Sequence, residues 1–419
     1  MTDTSVQFFT QNNGFTLNNN WGDLIRMLDA FLVNGKPLPS IIRQNVDNEL
    51  RELTLEFSSN HNCSMLQVVQ LSGFTPAKLD SKYRIVGIPD TLTLVLKLNE
   101  EILEPITAVG ISKLAPLGYE IVFRDEADVK RVYRAIDPTS NHPFIRVDES
   151  RESETGSYTE TYTKYAMVGL LESMTNIDDY DNPDVLQLPF DNSNTSKNWS
   201  ITGTGSSVVR GWSKWIWARN NHLHQGWADS LAPTAGSRFF TLVGDKDAFY
   251  LVTPFGTNST YKRIYGAGLF NSNLKTDVIP NWFLMSRYSV AAADSTYSHT
   301  ETYGNPLVTS DTSSRFLAPR YDEISRLSNS TAAIPILPDY FSGNSGIYSA
   351  NNISCLEIPF SDSQKYLRGS LKHVNYVGKS YSNTTTAVPE ISDGSMYVRD
   401  TVVLSTTTFG TLMFYLGEL

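Results

Sequence analysis

Charge is scarce in this chain. Only 19% of its 419 residues are Asp, Glu, Lys or Arg, and the balance is acidic, with a net charge of −10. No basic run occurs, which argues against a nucleic-acid partner, because phosphate contacts need clustered Lys and Arg. Cysteine is scarcer still. Cys63 and Cys355 are the two present, too few for a disulfide scaffold. Two free thiols in a reducing compartment is preferred over one long-range bridge. No run approaches the roughly 18 apolar residues of a membrane span, so membrane insertion is not expected. The first residues lack a basic stretch followed by an apolar one, so no signal peptide is expected. Also missing are a Gly-x-Ser-x-Gly nucleophile turn, a glycine-rich phosphate loop and a His-Glu-x-x-His zinc motif. These absences point away from an enzyme, and no cofactor or metal is expected.

What the chain has is β pattern. Hydrophobic residues make up 40%, enough for a sizeable core, and much of the polar remainder is Asn, Ser and Thr, which suits loop-rich β proteins. Three strand-like patterns lie far apart, at residues 143–148, 238–252 and 366–371. The middle one reads as a hairpin turning at Gly244-Asp-Lys-Asp247. Distant strands closed into sheets predict a mainly β chain, with a packed sandwich rather than a repeat array.

The length suits two or three domains. Residues 1–45 read as an irregular arm followed by one amphipathic helix. Asn20 is the expected N-cap, Asp23 falls in the first turn, and Gly35 ends the helix. Trp21, Leu24, Ile25, Leu28, Phe31 and Leu32 share one face. That face is preferred as core-facing; the alternative is a docking face for a neighbouring subunit, carried by Trp21, Leu24, Leu28 and Phe31. Residues 46–113 read as a small β domain of about five short strands. Ala115-Pro-Leu-Gly118 looks like a boundary. Residues 114–419 form a larger, jelly-roll-like β-sandwich with long polar loops at 191–207 and 291–314, of the kind that carry binding surfaces or inter-subunit contacts.

Three groupings invite chemistry. His222 and His224 fall on one side of an extended chain, but His61, His142, His299 and His373 stand at no spacing that completes a metal site. Asp178-Asp-Tyr-Asp181 resembles part of a calcium loop, yet Pro183 occupies the position that needs Gly. An acidic turn is preferred. Trp212, Trp215 and Trp217, with Trp199 and Trp227 nearby, form the densest aromatic patch. Core or subunit interface is preferred there over sugar stacking, because aromatics dominate both. No carboxylate pair stands in a recognisable glycosidase context.

Several segments taken in order resemble a known family. They are Leu28-Asp-Ala-Phe-Leu-Val-Asn-Gly-Lys36, the block from Leu71 to Gly87, Lys113-Leu-Ala-Pro-Leu-Gly-Tyr-Glu120, and Val132-Tyr-Arg134. Phe144-Ile-Arg-Val-Asp-Glu149, residues 168–178, residues 240–251 and Leu367-Arg-Gly-Ser-Leu371 continue the series. Together they resemble virion structural proteins of tailed bacteriophages. The resemblance implies a particle component made in the bacterial cytoplasm and placed in the tail, baseplate or neck. Its partners would be copies of itself and other virion structural proteins. A head decoration or fibre protein is the alternative, or a receptor-binding tail protein contacting host surface glycan. The family implies no catalytic residues.

Overall fold

A computed structural model describes residues 2–220, 230–274, 280–288, 306–307, 316–320, 331–336, 355–377, 381, 384–403 and 409–419. Among the described residues, strands in antiparallel sheets dominate, and helix is confined to short stretches, the main one near the N-terminus. The chain is mainly β, as its patterning predicts.

The small sheet has seven strands, running from Lys36–Pro37 at one edge to Ile41–Asp47 at the other. Glu52–Phe57 and Thr93–Lys97 alternate as strands open on one face must. Val68–Ser72 and Lys82–Gly87, by contrast, are covered on both faces at Val68, Val69, Tyr83, Arg84 and Ile85. In Glu52–Phe57, Leu53, Leu55 and Phe57 are buried while the residues between them are half-exposed. The sheet ends at Leu114 and takes in residues 36–45, which the sequence assigns to the arm. Ile41–Asp47 is an edge strand with no fully buried position, so it shows no alternation to read.

The large sheet has thirteen strands. The expected hairpin forms, pairing Thr241–Gly244 with Ala248–Pro254 around residues 245–247. Beside it runs Gln7–Thr10, with Gln7 opposite Gly244 and Thr10 opposite Thr241. The arm is therefore not irregular throughout. Phe8 and Phe9 are fully buried in two different apolar clusters. Another seven-stranded sheet contains Tyr119–Arg124, Lys130–Ala135, Phe144–Asp148, Lys164–Leu171 and Ser213–Ala218.

The layering follows from strand periodicity. Along Ala248–Pro254, Phe249 and Leu251 enter one core with the helix, the small sheet and the Tyr119–Ala218 sheet. Tyr250 and Val252 enter a second core closed by the C-terminal strands. The large sheet is thus buried on both faces along the hairpin, whereas its C-terminal strands Val388–Ser392 and Ser395–Val403 keep half-exposed positions. Residues 115–118 link sheets rather than floating between them. Ala115 and Leu117 are buried, and the Leu117 and Gly118 amides donate to Phe31 O and Leu32 O at 3.0 and 3.2 Å.

The helix Asp23–Leu28 continues as a wider π-type turn over Asp29–Asn34. Gly35 ends it at φ 73°, where a Cβ would stand 2.5 Å from Leu114 O. Its start differs from expectation. The N-cap position is Gly22, not Asn20, and no side chain of the segment itself caps it. The acceptor comes from a distant strand end instead: buried Glu149 accepts the amides of Gly22 and Ile25, the latter at 3.0 Å. The polar stretch 191–207 is also more ordered than expected. It holds a 3-10 turn at Thr195–Asn198 and a strand at Ile201–Thr204 within a four-stranded sheet. Asn198 pins it, its amide nitrogen donating to Val168 O and its oxygen accepting from Trp212 N and Ser213 N. Of the stretch 291–314, all but residues 306–307 lie outside the described residues.

Candidate functional site

The expected site residues separate into core and cleft. Leu24, Leu28 and Phe31 are fully buried. Phe31 packs on Phe9 and Phe240, with ring centroids 4.3 and 5.7 Å away. This corrects the docking alternative for those three, because the chain's own sheets cover the face. Trp212, Trp215 and Trp217 are buried too, at 5%, 0% and 0% exposure. The Trp215 indole donates to Met285 O at 3.0 Å and lies against Phe249 and Tyr265. The Lys197 ammonium covers the Trp212 ring at 4.1 Å. None of these rings has a face open to sugar, so the glycan-contact alternative is corrected for this trio. They pack inward because the strand Ser213–Ala218 has sheet or loop on both sides.

Trp21 is the exception. It is only half-buried and lines an open cleft of about 400 Å³ with Asn19, Asn20, Glu160, Thr161, Lys164, Ala232 and Pro233. Three segments far apart in sequence build it: the approach to the helix, the turn entering the strand Lys164–Leu171, and the chain before Arg238. Each is tied to another by hydrogen bonds to backbone oxygens. Asn19 Nδ2 donates to Pro233 O at 3.0 Å, and the Trp21 indole donates to Glu160 O at 3.0 Å. Asn220 Nδ2 donates to Ala232 O at 2.9 Å. Buried Arg238 steadies the third segment through Thr234 O, Gly236 O and Phe255 O at 2.8, 2.8 and 2.7 Å.

The Trp21 ring is held in turn. It stands perpendicular to Trp217 and Tyr158, with centroids 6.0 and 5.9 Å away. The Lys164 ammonium and the Arg210 guanidinium each lie 5.2 Å from its centre. Lys164 Nζ donates to Glu160 O and Tyr162 O, both at 2.6 Å. Burial pushes its pKa down to about 8, against the opposing pull of Glu160. Such an ammonium positions its neighbours and is spoken for by two carbonyls. The outward groups are different. Asn20, Glu160 and Thr161 are exposed, and the side chains of Asn20 and Thr161 make no hydrogen bond among the described residues.

The other groupings are structural. Asp178 pairs with Lys130 at 2.8 Å and Arg146 at 2.7 Å, and Asp179 accepts from the Thr175 amide and hydroxyl. His142 and His373 sit 3.0 Å from Asp247 and Asp245 of the hairpin turn. His61 accepts the Cys63 amide at 2.9 Å. His222, His224, His299 and Trp227 lie outside the described residues. Among the described residues, no group of three or more His, Cys, Asp or Glu side chains is placed to hold a metal ion. Cys63 and Cys355 are free thiols, pushed up to about 12 and about 11 by burial.

Sequence reasoning singled out Trp21 but missed Glu160, Thr161, Lys164 and Pro233. No motif joins them. They are linked by tertiary contacts made after folding, among them the Trp21 bond to Glu160 O, the Asn19 bond to Pro233 O and the Lys164 ammonium beside the Trp21 ring. Comparison with protein-family models finds no match to this chain, and no curated protein matches it either.

Proposed function

We propose that this chain is a structural component of a tailed-bacteriophage virion, made in the bacterial cytoplasm and assembled into the tail, baseplate or neck. It works by binding copies of itself and other virion proteins. The collinear sequence resemblance supports this, as does a core shared by helix and sheets, which suits a rigid building block. The observation that carries the assembly reading is on the small sheet and its loops. Ile42, Leu103 and Ile111 are 60%, 78% and 75% exposed. Apolar side chains held outward on a fixed sheet suit the buried centre of a subunit contact. Among the described residues no helix is long and apolar enough to cross a membrane.

Immunogold electron microscopy on purified particles, with an antibody to this chain, tests the proposal. Labelling at the tail, baseplate or neck is the expected result, and labelling on the head surface selects the decoration alternative. Particles that lack the chain altogether sink the reading. If the small sheet is the contact, Ile42→Asp with Ile111→Asp lowers incorporation at least tenfold and leaves the circular dichroism of the isolated chain unchanged.

A further inference from the structure

We propose that the cleft at Trp21 is a binding site for a neutral saccharide unit, of one or two pyranose rings. The inference stands on the cleft itself and does not depend on the virion reading. Its volume of about 400 Å³ falls at the small end of ligand sites, which run from roughly 300 to 1,000 Å³.

The lining chemistry selects the ligand class. Glu160 supplies one carboxylate and Lys164 one ammonium already bonded to two carbonyls. With one charge of each sign, neither an anion nor a cation is favoured. What remains is hydrogen-bonding capacity in several directions. The Asn20 amide offers donors and an acceptor, the Thr161 hydroxyl either, and the Glu160 carboxylate two acceptors. Trp21, Pro233 and Ala232 add apolar surface beside them. A ligand that matches must carry many hydroxyls on a compact ring with C–H patches, and a pyranose has that pattern.

Preorganisation supports the assignment. The Asn19, Trp21, Asn220 and Arg238 hydrogen bonds fix all three walls, while the side chains of Asn20 and Thr161 are left without partners among the described residues. A rigid cleft with unspent outward polar groups loses little freedom on binding.

Saturation-transfer NMR on the full chain tests this. The probes are glucose, galactose, mannose, N-acetylglucosamine and their β-linked disaccharides. At least one is expected to bind, with affinity on the order of millimolar. Asn20→Ala with Glu160→Ala should weaken it at least tenfold. Both positions are exposed, so thermal melting should move little, through the loss of the Glu160 charge near Lys164 alone. Thr161→Val gives an independent check, with a loss of three- to tenfold. The proposal is overturned if no probe binds, or if the double variant binds as tightly as the parent while equally folded. A double variant that melts early transfers the decision to Thr161→Val, where unchanged binding overturns it.

Discussion

The small sheet and the two sheets packed beside it keep their interiors by different means. Within residues 36–114 the buried polar side chains are His61, Gln67, Arg84 and Ser112, and apolar alternation supplies the rest. In the other two sheets, Lys164–Leu171, Ala248–Pro254 and Lys262–Leu269 are buried at every position, charged residues included. A sheet covered on one face can send its polar residues to water. A sheet covered on both must satisfy them internally. Lys262 pairs with Asp400, both fully buried, and Asp400 also accepts from the Thr241 hydroxyl at 2.8 Å and its neighbour's amide at 2.7 Å. Arg210 donates to three backbone oxygens, those of Ser150, Tyr165 and Asp148. Arg84 is the small sheet's one charge of this kind, and it too serves the join. Its guanidinium donates to Asp3 O, Val6 O, Leu66 O and Leu416 O, tying both chain ends to the small sheet.

This contrast sets the largest expected effect. Lys262→Ala leaves Asp400 buried without its counter-charge and should destabilise the fold by about 3–5 kcal/mol. Lys262→Met with Asp400→Asn removes both charges, keeps an amide oxygen and nitrogen for the Thr401 amide and the Thr241 hydroxyl, and should recover most of that loss. Leu55→Ala, in the small sheet, creates a cavity and should cost about 2–5 kcal/mol with no such rescue. Urea denaturation measures all three. If the double variant is no better than the single one, the pair is not the source of the cost.

Glu149 is expected to come next. Burial raises its pKa from 4.5 to about 7, against the lowering effect of the Gly22 and Ile25 amides and of Arg210. The native state then binds the proton more tightly than the unfolded chain. Stability should fall as pH rises from about 4.5 to about 7, by on the order of 3 kcal/mol over the window. Asp247 works in the opposite sense and elsewhere. The His142 hydrogen bond, with Lys372, holds it well below the usual carboxylate range, so its contribution is lost only as pH falls below about 4. The check is the melting temperature between pH 5 and 8. Glu149→Gln should flatten the decline, and a decline unchanged in that variant would assign it to another group.

The same contrast explains what was legible in the sequence. Strands such as Glu52–Phe57, Tyr119–Arg124 and Ala248–Pro254 are apparent from β-rich residues and flanking turn formers, and so is the Gly35 helix end. Three kinds of feature are hidden. Gln7–Thr10 belongs to a sheet only because Thr241–Gly244, over 200 residues on, accepts it. Glu149 caps a helix some 125 residues before it, so Asn20 looks like the cap by local reasoning. The cleft brings together Trp21, Lys164 and Pro233, and no spacing encodes that. Local patterns report periodicity and turns, whereas buried charges, caps from afar and clefts are products of the tertiary pairing.

The smallest effect is expected on the outer face of the small sheet. Arg43 and Glu56 stand opposite each other on adjacent strands with nitrogen and oxygen 3.3 Å apart. Arg43 is 79% exposed and Glu56 32%. Water screens such a pair, and holding a long arginine in one geometry costs entropy, so the net stabilisation is at most about 0.5 kcal/mol. Arg43→Ala should therefore shift the urea midpoint barely beyond error, and raising salt from 0.05 to about 0.5 M should remove the shift. Lys262→Ala, shielded from solvent, should keep its full effect at both salt concentrations. If the two variants responded to salt alike, the Lys262–Asp400 pair would be reached by water, and the distinction between one-faced and two-faced sheets would fail at its most buried point.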